Sequence, residues 1–255
     1  MRSHKIGEAD KVLRILTREH GKRSTVAKGV RKTGSRFGAR LEPLTCAKVL
    51  IHRGRTLDLV RQAEIESSFH EVREDLGLFV AGSAMVELID CLTQEHEPHP
   101  ELFDLLLTGL EALRDYHGAS ASTLAFFEFR ALSEAGFGIA VSRCAECGAE
   151  LSTGPVWFSL HRGGMVCETC RADPKRETGK LVRLSPEAAA SLGWMAGHSM
   201  GDVLFGGLKS TGELERLMGM VVEHWTEREF RSGRVMKSIP AGARALRRND
   251  GRKLA

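Results

Sequence analysis

The chain has 255 residues, 42% of them hydrophobic, and a formal net charge of only +4. That length suffices for one large domain or two smaller ones, with a core that needs no disulfides. No apolar run approaches the ~20 residues of a membrane span. Met1 to Glu8 is charged and lacks the apolar stretch of a secretion signal, so a cytoplasmic protein is expected.

Residues 10 to 66 read as β. Val12 to Thr17 is a strand candidate, Glu19 to Lys22 a turn, and Arg23 to Val30 a second strand with Gly29 as a bulge. Lys48 to Ile51 forms another strand, and Arg53-Gly54 is a hairpin turn. From Arg55 to Ile65 the side chains alternate, with Leu57, Leu59, Arg61, Ala63 and Ile65 on one face and Val60 on the other. Short strands separated by turns predict a small barrel.

After Leu76 the apolar residues take a helical period: Leu76, Phe79, Val80, Met85, Leu88, Ile89 and Leu92 form one stripe. Pro100 suits the first turn of the next helix. Ser122 and Gly136 frame another as N-cap and C-terminal stop. Ser185-Pro186-Glu187 opens a helix to about Ala196, and the last runs from Gly212 to Arg231. The tail after Ile239 carries Arg244, Arg247, Arg248, Arg252 and Lys253 against Asp250; its composition predicts disorder.

The sharpest local signal is Cys144-Ala-Glu-Cys147 followed, after 19 intervening residues, by Cys167-Glu-Thr-Cys170. A two-residue spacer lets one tight turn present two thiolates to a single ion, and two such turns on a hairpin complete a tetrahedral four-sulfur shell. One structural Zn²⁺ is therefore expected, with no coordination position left for a catalytic water. Gly148 suits the positive φ of the first turn, and Trp157 and Phe158 are expected to cover the site. Cys46 and Cys91 read as ordinary buried thiols.

The second signal is charge. Between Gly21 and Leu41 stand Lys22, Arg23, Lys28, Arg31, Lys32, Arg36 and Arg40, with no Asp or Glu. Such a run is either a solvated basic loop or a track for a polynucleotide backbone, with Phe37 available to stack on a base. Lys22 and Arg23, beside a turn, are the weaker candidates.

These residues resemble a known family. Glu8-Ala-Asp10 through Leu16-Thr17, Gly21-Lys22 and Ala27-Lys28-Gly29-Val30-Arg31 are similar to the start of the RecO family. Leu41 to Leu44 resembles its next strand entry, Phe127 to Phe137 its "FExRxLxxxGY" helix, and Glu223 to Arg234 its closing helix. The resemblance implies an α+β chain. An N-terminal OB-fold β-barrel (1–75) would be followed by a helical domain (76–238) carrying a zinc insertion (141–182), and then the basic tail (239–255). Members carry a further apolar strand before this point, so most of the first barrel strand is expected to be missing and the barrel open on one edge. The Pro that usually follows the Gly-Tyr pair is absent here.

The function implied is that of a recombination mediator without catalytic residues. It would bind single- and double-stranded DNA, anneal complementary strands, and work with RecR to load RecA onto DNA coated with single-stranded-DNA-binding protein, whose C-terminal tail it contacts. Two other readings remain. One is a zinc-stabilised scaffold that does not touch DNA. The other is a zinc-dependent nucleic-acid enzyme, a deaminase or nuclease; His99-Pro-Glu101 matches half of the deaminase signature, although Arg143 stands where a Pro should precede Cys144 and the second cysteine pair would have no role. No G-x-x-x-x-G-K-[ST] loop is present, which argues against an ATPase.

Overall fold

The computed structural model describes residues 2–35, 37–115, 120–151, 156–205, 207–230, 232 and 235. The N-terminal part is a five-stranded sheet of β1 (Arg2–Ile6), β2 (Asp10–Thr17), β3 (Gly21–Ala27), β4 (Cys46–His52) and β5 (Asp58–Ser67), in the order β1-β2-β3-β5-β4. All neighbours are antiparallel except β3 and β5, which run parallel. This is the strand order of an OB-fold. The first strand is present, five residues long and paired in register with β2 from Arg2↔Arg14 to Ile6↔Asp10. No ladder joins β1 to β4 among the described residues. Ser3, Ala47 and Val49 instead border an apolar cleft of about 270 Å³ that Leu106 and Leu110 close from below.

The interior of the sheet is small. Leu13, Ala27, Val60 and Ala63 supply it, and Phe37 is inserted among them. Strict alternation would put Val60 and Ala63 on opposite faces, yet both point inward. The register with β4 shifts between Leu50 and Ile51, leaving Arg61 as the extra residue of a β-bulge.

The helical body follows: α1 (His70–Glu74), α2 (Leu76–Leu92), α3 (Pro100–Asp115) and α4 (Ser120–Glu134). Asp75 caps α2 by accepting from the Leu78 amide at 2.9 Å. α4 is the central rod, almost wholly buried and packed against α2 and α3. It starts at Ser120, so Ser122 lies inside its first turn and is not the cap. Gly136, at φ +88°, ends it as the sequence predicts.

The chain then forms a three-stranded sheet of β6 (Val156–Ser159), β7 (Gly164–Val166) and β8 (Leu181–Leu184), in the order β7-β6-β8, with α5 (Glu168–Ala172) between β7 and β8. It closes with α6 (Pro186–Gly197) and α7 (Thr211–Thr226), both packed on α4. The Ser185 hydroxyl caps α6 through the Ala188 amide, and α7 stops at Glu227 in a left-handed conformation, short of Arg231. The tail from 239 lies outside the described residues. No described helix is long and apolar enough to cross a membrane.

Candidate metal centre and nucleic-acid interface

Cys144, Cys147, Cys167 and Cys170 converge, all four sulfurs lying within 4.8 Å of one another. Cys147 Sγ and Cys167 Sγ are 3.8 Å apart. Four thiolates at ~2.3 Å from a central zinc stand ~3.8 Å from each other, so the donor set fits a tetrahedral ion. Each pair rides on its own turn. The Gly148 amide closes the first onto Cys144 O at 2.8 Å, with Gly148 at φ +73°, and Cys167 caps α5, which carries Cys170.

The local electrostatics favour a cation. Burial raises Cys144, but the amides of Cys167, Cys147 and Glu146 outweigh it and bring the thiol down to about 6. Burial, and then the three neighbouring thiols, push Cys170 up. Four sulfurs this close cannot all ionise without a positive ion among them. The Arg176 guanidinium adds a donor to Cys170 Sγ at 3.2 Å.

The three-stranded sheet joins this centre to the helical body, because alternate side chains face opposite ways. Phe158, Met165 and Leu184 enter the main core, while Val166 packs with Cys144 and Cys170. Phe158 therefore does not cover the metal site. Trp157 is on the sulfur side, under the Arg171 guanidinium at 5.0 Å. His161 is an exposed turn residue and no member of the donor set. His99, at the start of α3, is near Glu97 and not near the cysteines, which leaves the deaminase signature without its geometry.

The basic run of residues 22 to 40 divides into three groups. Lys22 is only 4% exposed. Its ammonium donates to the carbonyls of Asp90 and Thr93 at 2.7 and 2.8 Å and lies 3.1 Å from the Asp90 carboxylate. Lys22 therefore ties β3 to the end of α2 and presents nothing to a phosphate. Arg23 turns to Asp58 at 3.7 Å, with both side chains mostly covered. Phe37 is 1% exposed. It is the plug of the small barrel core, needed because Ala27 and Ala63 leave that interior underfilled, and it cannot stack on a base.

Lys28, Arg31, Lys32 and Arg40 are exposed. Their loop is tied to the β1–β2 turn: the Gly29 amide donates to Asp10 Oδ1 at 2.7 Å, the Arg31 amide to Ala9 O at 3.0 Å, and Arg31 Nη1 to Gly7 O at 3.4 Å. Phe37 anchors its far end. A loop pinned at both ends presents its cations with little entropy left to lose on binding. Arg36 lies outside the described residues.

The usual ligand-binding face of an OB-fold, the outside of β2 and β3, is covered. Arg14 reaches Glu95 at 3.0 Å and Asp90 at 3.6 Å. Ser24 donates to Glu95, and Arg18 makes a two-pronged contact with Asp104 at 2.9 and 2.8 Å. Gly21 packs so tightly on Glu97 that a Cβ there would stand 2.1 Å from its carbonyl oxygen. The sequence pattern of β2 and β3 carries no sign of this, since every partner lies more than seventy residues away or nearly so.

Comparison with known proteins places both halves. The family model described as "Recombination protein O N terminal" matches residues 1–69, and "Recombination protein O C terminal" matches 73–234. The chain is 36% identical over 244 residues to the DNA repair protein RecO of Bifidobacterium longum, covering 93% of this chain and 96% of that one. It is 40% identical over 189 residues to the protein of the same name from a Nocardioides species, covering 71% and 78%. For that of Desulfitobacterium hafniense the figures are 34% over 230 residues, 90% and 78%.

Proposed function

The chain belongs to the RecO family of DNA repair proteins, and on that premise we propose that it is a non-catalytic recombination mediator that grips DNA through the barrel's basic loop. It binds single- and double-stranded DNA, anneals complementary strands, and with RecR helps RecA load onto strands coated with single-stranded-DNA-binding protein, whose C-terminal tail is a further contact. It works in the cytoplasm, at the nucleoid.

The observation that carries this reading is the loop itself: Lys28, Arg31, Lys32 and Arg40 exposed on a doubly anchored segment that contains no carboxylate. Annealing needs only that two polyanions be held side by side, and exposed cations do that by screening phosphate repulsion without any bond being made or broken. With Phe37 buried, affinity rests on phosphate contacts, so base sequence matters little.

Binding of a labelled single strand across a salt series tests the proposal. Four phosphate contacts give a log–log slope of about −3, and replacing the four loop residues with Ala flattens it. Salt-independent affinity, or normal binding by that variant, removes the loop from the interface. The metal is assigned as one structural Zn²⁺. In that assignment Cys144→Ser loses metal and destabilises residues 141–182, as elemental analysis and limited proteolysis report. Full zinc stoichiometry in this variant refutes it.

A further inference from the structure

With the β2–β3 face closed by the helical body, a strand leaving the basic loop must follow another path. The opposite side of the barrel offers one. Lys28 continues β3 past its last ladder pair, Val26↔Leu59. Two residues further along the parallel register it comes level with Arg61 of β5, the bulged residue. A bulge re-aims a side chain, and here it leaves on the outer surface an arginine that strict alternation counted from Ala63 would have turned inward.

From Arg61 the β4–β5 ribbon leads to its hairpin tip, roughly 10 Å away at a strand's rise per residue. The tip carries Arg53 and Arg55, with His52 at the end of β4, all exposed. The tip is built, not loose. The Gly54 amide donates to Asp58 Oδ1 at 3.2 Å, and the same carboxylate faces Arg23 at 3.7 Å. A Cβ on Gly54 would lie 2.0 Å from Leu57 O. Asp58, the nearest acid in sequence, is thus spent on holding the tip. The side chains of Arg53, Arg55 and Arg61 make no hydrogen bond or ion pair among the described residues.

The ribbon is also polarised. Its far half carries Glu64 and Glu66, with Lys48 answering Glu66 at 3.2 Å, while the acid of its tip half, Asp58, is engaged by Arg23 and the Gly54 amide. Between them Leu50, opposite Gln62, is 60% exposed, an unusual position for a leucine on a strand.

We propose that the polynucleotide runs from the Lys28–Lys32 loop across Arg61 to Arg53 and Arg55 on the β4–β5 hairpin, so that the β3–β5–β4 side of this barrel is its DNA-binding face. The proposal rests on the DNA-binding reading above and extends it to residues outside the basic loop. The match is one of charge: a phosphate backbone follows the line of exposed guanidinium and ammonium groups, and Leu50 supplies apolar contact where aromatic side chains are lacking.

The test uses the full chain and labelled oligonucleotides, single- and double-stranded, over a salt series. Arg53→Ala, Arg55→Ala and Arg61→Ala combined should weaken binding and make the slope shallower by about 2, since each single-strand phosphate contact contributes ~0.7. Replacing the same three with Lys should restore the slope. Leu50→Glu, mid-face, should weaken binding without touching any arginine. Thermal unfolding of each variant checks that the barrel is intact. If the triple Ala variant keeps full affinity and slope while the loop variant loses them, this inference falls and the DNA-binding reading stands. If the unaltered protein binds no strand at any salt, both fall together.

Discussion

The barrel has basic residues on two sides, and their fates differ. On β2, β3 and the turn between them, Arg14, Arg18 and Lys22 each meet a carboxylate of the helical body, and these cations hold two parts of one chain together. On the loop and the β4–β5 ribbon, Lys28, Lys32, Arg53, Arg55 and Arg61 are exposed and meet none among the described residues. In composition the two sets are alike. Partners decide between them: a cation whose counter-charge is supplied by the fold is structural, and one left without a counter-charge is available to a polyanion.

Lys22→Met separates the two sets with the largest effect. It takes the nearer cation from buried Asp90 and leaves the Arg14 guanidinium at 3.6 Å, so the loss should approach the lower end of the ~3–5 kcal/mol of a broken buried pair. Two helix-end carbonyls also lose their donor. Thermal or urea unfolding should show that loss, while the salt slope of DNA binding by the folded fraction should not change. A stable variant with a shallower slope would place Lys22 at the DNA after all.

That division marks where the sequence was legible. The cysteine site could be read because its logic is local: two spacers and a 19-residue interval contain the whole geometry. The change from strands to helices was equally plain from the period, which puts it at Leu76; the short α1 before it, His70–Glu74, is too brief to show a helical period. Lys22 could not be read, because its partner lies 68 residues away, and neither could Phe37, whose role depends on how small Ala27 and Ala63 leave the barrel interior. Arg61 left a faint trace. The alternation from Leu57 to Ile65 puts Arg61 among the core positions and Val60 outside them, and that conflict is the mark of the bulge.

The carboxylates divide in the same way, and pH resolves them. Glu95 and Asp104, paired with Arg14 and Arg18, are held below their ordinary range. Glu128, on the buried rod α4, is raised to about 8, first by desolvation and then by Glu215 and Glu223. The folded chain thus keeps a proton that the unfolded chain releases above about pH 4.5. Stability contributed by that proton is complete at low pH and is lost as pH rises towards 8, at about 1.4 kcal/mol per pH unit. Glu128→Gln should be more stable than the parent at pH 8 and should lack this slope in urea titrations from pH 5 to 8. Parallel titrations for the two proteins would mean that Glu128 ionises normally.

The smallest effect sharpens the division most, because Arg23 belongs to both sets. It is half-buried and paired with Asp58, yet the carboxylate it holds also fixes the Gly54 amide and so the angle of the hairpin tip. Arg23→Ala should cost about 1 kcal/mol or less in unfolding, as partly exposed pairs do. It should leave the log–log slope unchanged, since no phosphate contact is lost, and still weaken DNA binding slightly, because Arg53 and Arg55 would have to be ordered on binding. A drop in slope of about 0.7 would instead identify Arg23 as a direct phosphate contact.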